Sequence, residues 1–190
     1  MAASSFNQTL ARFQLRLRDV NQTTFTLPEQ TDLLTSAFND RFVTIFDRDT
    51  MTSVASQAVY PYTGAISDPT ELFLDIASNG YGTSIDTSAW DYINGNFIFK
   101  PSYKPLTGGL SIYIYGKRKL TVSDLIPDSL IEYVLEVAYM ESLKLLKMTL
   151  ATRFLKNDMT MPQINQAIAE TKQTINDMRR DLTNTRPQRW

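Results

Sequence analysis

The stretch Trp90-Asp91-Tyr92-Ile93-Asn94-Gly95-Asn96-Phe97-Ile98-Phe99 decides the fold class of this chain. Aromatic and apolar residues flank an Asn-Gly pair, and both members of that pair tolerate the positive φ that a two-residue hairpin turn requires. The stretch therefore predicts a β-hairpin. Downstream, Leu110-Ser111-Ile112-Tyr113-Ile114-Tyr115 alternates aliphatic with polar or aromatic side chains, which predicts a strand with two distinct faces. Between them, Pro101 to Gly109 holds two prolines and a Gly-Gly pair and reads as a loop. Residues 52–60 and 70–77 are further strand candidates. Residues from about 50 to 120 are thus expected to form a small antiparallel sheet.

Helical periodicity lies on both sides of this region. Phe6, Leu10, Phe13 and Leu17 recur at helical steps, predicting an amphipathic helix over 4–20 with Arg12, Arg16 and Asp19 on its solvated side. Thr26-Leu27-Pro28-Glu29 reads as a capping box with Pro in the first turn, opening a helix that the pattern carries to about Phe46. Beyond the sheet, Leu130, Ile131, Val134, Leu135, Val137, Ala138, Tyr139, Met140, Leu143, Leu145, Leu146 and Leu150 cover most of a helical circumference. A helix apolar nearly all round is buried on most faces, and this one is expected over 127–156. Thr160-Met161-Pro162-Gln163 repeats the capping device. Ile164, Ile168, Thr171, Ile175, Met178 and Leu182 then form a narrow seam suited to antiparallel packing on the preceding helix over 160–182. The expected fold is α+β and helix-rich. It comprises a single domain over 1–182 and an extended basic tail over 183–190.

Absences narrow the chemistry. The chain of 190 residues contains no His and no Cys, which removes histidine- and cysteine-based nucleophilic triads, thiolate chemistry, and His or Cys metal sites. No catalytic residue, metal or cofactor is expected, and the chain reads as a non-enzyme. Arg12, Arg16 and Arg18 interrupt what a secretory leader would need as an apolar core, and no stretch nears the roughly 18 apolar residues of a membrane span. A cytoplasm-like solvent is expected, with no membrane contact.

The net charge of −1 hides a segregation. Residues 64–99 carry Asp68, Glu71, Asp75, Asp86 and Asp91 without a Lys or Arg, whereas 179–190 carry Arg179, Arg180, Arg186 and Arg189 against Asp181 alone. The tail, ending in Trp190, reads either as a frayed terminus or as a docking peptide, since Arg and Trp dominate interface hot spots. Asp47 with Asp49, or Asp86 with Asp91, could supply a carboxylate pair for glycosidic hydrolysis, although Asp-rich turns more often bond their own backbone. Tyr113 to Lys119 interleaves aromatic and basic residues; a nucleic-acid contact and a lysine-protected sheet edge explain it equally well.

Taken in order, these elements resemble the head–tail connector adaptor proteins of tailed bacteriophages. The helix pair, the segment Trp90–Pro101, the segment Leu110–Leu120, the start Ile126-Pro127-Asp128 and the stretch Leu130–Leu146 carry the resemblance, which spans nearly the whole chain. It implies a virion structural protein, assembled in the bacterial host cytoplasm. The family forms a ring, commonly of twelve copies, between the portal at the capsid vertex and the tail or stopper protein. It further implies that Arg179, Arg180, Arg186, Arg189 and Trp190 dock the portal and that the loop with Tyr103, Lys104 and Leu106 meets the tail side. Asp68, Glu71, Asp75, Asp86 and Asp91 become candidates to face a channel through which double-stranded DNA passes without sticking. The competing expectations are a soluble protein-binding module that forms no ring and a carboxylate-dependent cell-wall hydrolase.

Overall fold

The computed structural model describes residues 3–19, 24–76, 80, 82–149 and 159–184. The architecture is α+β, and the expected single domain is built as two compact units: Thr44–Lys119 forms one, and the segments Met1–Val43 and Leu120–Trp190 form the other.

The helical unit contains four α-helices among its described residues: α1 (Phe6–Leu17), α2 (Leu27–Phe38), α3 (Asp128–Met148) and α4 (Met161–Asn184). Ser5 caps α1 in a reciprocal box with Gln8, whose side-chain oxygen accepts from the Ser5 amide at 2.8 Å. At the other end Arg18 adopts φ 54°, the left-handed turn that stops the helix. The stripe of α1 faces inward as expected, but Asp19 is not on the solvated side. It is 3% exposed, and its carboxylate accepts from the amides of Thr24 at 2.9 Å and Phe25 at 2.7 Å. The Gln30 amide nitrogen donates to the Phe25 carbonyl at 3.0 Å, so the entry to α2 is closed from both sides by polar groups.

The capping box at Thr26 is present: the Glu29 carboxylate accepts from the Thr26 amide at 2.8 Å. The helix it opens, however, ends at Phe38 and does not continue to Phe46. Asn39 is the C-cap, and the Asp40 side chain accepts from the Phe42 amide at 2.9 Å, a local bond that competes with helical pairing. The β-branched Val43-Thr44-Ile45 run then enters a strand.

Helix α3 is the central element, with Leu130, Ile131, Val134, Leu135, Ala138, Leu143 and Leu146 all 5% exposed or less. Each of these Leu, Ile and Val side chains contributes about 1.5–3 kcal/mol by leaving water. Described helix ends at Met148 with Thr149 as its C-cap; residues 150–156 of the expected helix lie outside the described residues. Helix α4 packs on α3 through the expected seam, with Ile164, Thr171 and Ile175 buried. The pair is antiparallel, because Leu146 meets Ile164 while Tyr133 meets Arg179. A short antiparallel pair, β1 (Ala3–Ser4) with β9 (Ile126–Pro127), ties the N-terminal segment to the start of α3. Among the described residues no helix is long and apolar enough to cross a membrane.

The β unit begins at Thr44, earlier than the expected 50. Its first sheet has the order β2 (Thr44–Thr52), β8 (Ser111–Lys119), β4 (Ile66–Leu74), β5 (Thr83–Ile85), antiparallel throughout. The second has the order β3 (Val59–Pro61), β7 (Asn96–Phe99), β6 (Trp90–Ile93). The candidate strand over 52–60 is instead the last residue of β2, a loop over 53–58 and the start of β3; the candidate over 70–77 coincides with the second half of β4 only to Leu74, with Asp75 and Ile76 beyond the strand and residue 77 outside the described residues. The hairpin β6–β7 forms as expected, turning at Asn94 with φ 51° and Gly95 with φ 76°. Ile66, Leu72, Ile112 and Ile114 of the first sheet and Tyr60, Trp90, Phe97 and Phe99 of the second enclose one core.

Candidate assembly interfaces

The loop after β7 forms a short 3-10 turn, Pro101–Tyr103, and returns alongside the loop that leaves β2. Ser53, 2% exposed, joins the two. Its backbone pairs with Leu110 and Gly109, each at 2.8 Å, and its hydroxyl donates to the Thr107 carbonyl at 2.9 Å while accepting from the Leu110 amide at 2.9 Å. The Ser56 amide reaches the Pro105 carbonyl at 2.8 Å, and the Tyr60 hydroxyl bridges the amide and carbonyl of Val54. On this frame Val54 is 50% exposed, Tyr103 52% and Leu106 88%. Tyr103 and Leu106 are thus presented as a contact needs, while Lys104 is half-buried. Val54 and Ser53 escaped the sequence reading, because nothing local marks a loop some fifty positions away as their partner.

The acidic stretch divides. Asp68, Asp86 and Asp91 are exposed and Glu71 is half-buried. Asp75 leaves the channel-facing set: it is 4% exposed, and its carboxylate accepts from the Tyr113 hydroxyl and the Gly80 amide, both at 2.9 Å. An acid placed there is a fastener within the sheet. Asp86 caps the 3-10 turn Thr87–Ala89, and hydrogen bonds from the Ser88 side chain and amide hold its carboxyl below the usual carboxylate range.

The carboxylate-pair candidates are occupied too. Asp47 is paired with Arg118 at 2.5 Å, and Asp49 accepts from the Tyr62 hydroxyl at 2.6 Å. Among the described residues no group of three acids could hold a metal ion. Arg118, in the middle of the Lys117-Arg118-Lys119 run, is thereby committed to the sheet, and Tyr113 of the same strand is bonded to Asp75.

Arg179 is withdrawn from the docking set by its own packing. Its Nε donates to the Tyr133 hydroxyl at 2.9 Å and its Nη2 to Asp40 Oδ2 at 3.0 Å, while Tyr133 donates to Asp40 Oδ1 at 2.8 Å. The guanidinium also lies 5.0 Å from the centre of the Phe42 ring. This triangle fastens the end of α4 to the start of α3 and to the turn after α2. Arg180, one position on, is exposed and lies 3.6 Å from Asp177. Arg186, Arg189 and Trp190 lie outside the described residues.

Burial, with the hydrogen bond to Asp40, outweighs the nearby Arg179 and pushes the Tyr133 phenol from its ordinary value near 10 up to about 12. An unfolded tyrosine loses its proton near pH 10, about where the native one still holds it. The native state therefore binds more protons between these values, and stability falls as pH rises from 10 through 12. Tyr133→Phe should reduce that alkaline loss, read as the denaturant midpoint of the helical circular dichroism against pH.

No protein-family model matches this chain, and no curated protein matches it.

Proposed function

We propose that this chain is a head–tail connector adaptor: a non-enzymatic, ring-forming structural protein that joins a portal to the tail or stopper and lines part of the DNA channel. The observation that carries the reading is the pair of loops at one end of the β unit. There Tyr103 and Leu106 stand out in water on a frame of backbone hydrogen bonds. Large apolar groups held rigidly in solvent suit a protein contact, since little ordering entropy remains to be lost on docking. The order of helix pair, β unit and buried helix supports the same reading through its resemblance to connector adaptors. In it, Arg180, Arg186, Arg189 and Trp190 form the portal-side set. Asp68, Asp86 and Asp91, which are exposed, and the half-buried Glu71 repel phosphates.

Negative-stain imaging with mass determination tests the proposal on the purified chain alone, with its portal ring, and with a truncation ending at Leu182. A ring should appear beneath the portal with the full chain and not with the truncation. Leu106→Asp should leave the thermal midpoint within about 1–2 °C, as expected for a surface change, and keep the ring while abolishing capture of the tail-side component. Free monomers in every mixture would overturn the adaptor reading in favour of a soluble binding module.

A further inference from the structure

We infer that the outer edge of β2 is closed against strand addition by the strand's own aspartates, and that Asp47 and Asp49 keep a second copy of this chain from pairing there. β2 is nine residues long and, among the described residues, lies at the end of its sheet with β8 as its one strand neighbour. Such an edge is a ready template for another strand.

The register tells which of its amides face outward. In an antiparallel ladder only alternate residues exchange hydrogen bonds with the partner strand. Ser53, just past the end of β2, does so, donating its amide to the Leu110 carbonyl at 2.8 Å. By that alternation Asp47, Asp49 and Met51 also point their amides at β8, and Phe46, Arg48 and Thr50 point theirs at the open edge.

Two of the outward amides, at the middle of the strand, are already taken. The Arg48 amide donates to Asp47 Oδ1 at 2.8 Å, and the Thr50 amide donates to Asp49 Oδ1 at 2.7 Å. The second oxygen of each carboxylate is fastened within the β unit: Asp47 Oδ2 accepts from Arg118 Nε at 2.5 Å, and Asp49 Oδ2 from the Tyr62 hydroxyl at 2.6 Å. Each aspartate is therefore a clip, anchored by one oxygen and capping an edge amide with the other.

The partner excluded is a second β2. An incoming strand would have to displace two hydrogen bonds to charged acceptors, which are roughly twice as strong as neutral ones. If that strand were β2 of another copy, antiparallel pairing centred on Arg48, the middle of the strand, would set Asp47 of each copy against Asp49 of the other. Like charges directly opposed destabilise a strand pair. For a protein proposed to assemble in many copies, a closed edge leaves association to other surfaces; the inference holds whether or not that assembly is a connector.

Residue-resolved amide exchange on the full chain tests the clip, with Asp47→Ala/Asp49→Ala and Asp47→Asn/Asp49→Asn as variants and the β8 amides as the internal measure of folding. The alanine pair should speed exchange at Arg48 and Thr50 about tenfold, the effect of losing a bond of typical net strength. The asparagine pair, which keeps a neutral Oδ1 acceptor in place of a charged one, should speed it markedly less. In sedimentation velocity the alanine pair should associate with rising concentration beyond the native chain. Native exchange at Arg48 and Thr50 as fast as in the alanine pair would overturn the inference. So would equal speeding by the asparagine pair, or opened amides without added association. Should the double alanine variant not fold, Asp47→Ala and Asp49→Ala singly each release one amide and carry the same reading.

Discussion

Gly116→Ala should destabilise the β unit by about 3 kcal/mol, at the upper end of what overpacking costs. Gly116 lies opposite Pro69 in β4, where the register with β8 slips on both sides of the pair. These slips are β-bulges, and they press the β4 backbone against β8. A Cβ on Gly116 would stand 2.6 Å from Pro69 Cα and 2.7 Å from Ile66 Cγ2, and closer still to the Asp68 carbonyl oxygen. Two of these obstacles are backbone, which has no rotamer to yield. Relief requires β4 to move, and with it Ile66 and Leu72, both 2% exposed or less in the core. Denaturant unfolding followed by the fluorescence of Trp90, which lies in that core, measures the loss. A midpoint unchanged from the native chain would show that the bulged backbone can shift without cost. Because Gly116 sits in the longest strands, the variant should also lose slow amide exchange across β8.

Arg179→Ala should cost about 2 kcal/mol and loosen the end of α4. The substitution removes a bond to Tyr133, a bond to Asp40 and the contact with the Phe42 ring. Hydrogen bonds to charged groups contribute about 1.5–3 kcal/mol each when buried, but the Arg179 side chain keeps 32% of its surface in water, which screens the pair. Arg179→Lys should recover less than half of the loss, since a single ammonium cannot span two acceptors and stack on a ring. Thermal unfolding by circular dichroism, read beside portal binding, separates two roles. A stability loss marks Arg179 as a fastener, whereas native stability with weakened portal binding would return it to the docking set alongside Arg180.

The elements most legible in the sequence were those specified by residues close together. Asn94-Gly95 names its own turn because both residues accept positive φ, whatever lies around them. Thr26 with Glu29 and Thr160 with Gln163 start helices through bonds that span three positions. The seam from Ile164 to Leu182 needs only a 3.5-residue rhythm to identify the face that packs on α3. The full apolar circumference of Leu130–Leu146 likewise announces a central helix before its neighbours are known. The exposure of Leu106 and Tyr103 follows from the prolines and glycines that make their segment a loop.

What escaped that reading depends on partners far along the chain. Helical spacing persists through Arg41 and Phe42, yet the chain turns at Asp40, whose carboxylate accepts from the Phe42 amide and is held there by Tyr133 and Arg179, 93 and 139 positions away. Asp75 looked like one more charge in an acidic surface until β8 brought Tyr113 to it. Asp47 and Asp49 looked like an acid pair, and the strand register turned them toward their own edge amides. Composition and periodicity assign a residue to a helix, strand or turn, because those preferences arise from the backbone within a few positions. The use of a charged side chain follows from which opposite charge or hydroxyl the long-range pairing of strands and helices sets beside it. Burial removes water as the alternative partner, so that pairing decides whether an Asp or Arg fastens the fold or faces outward.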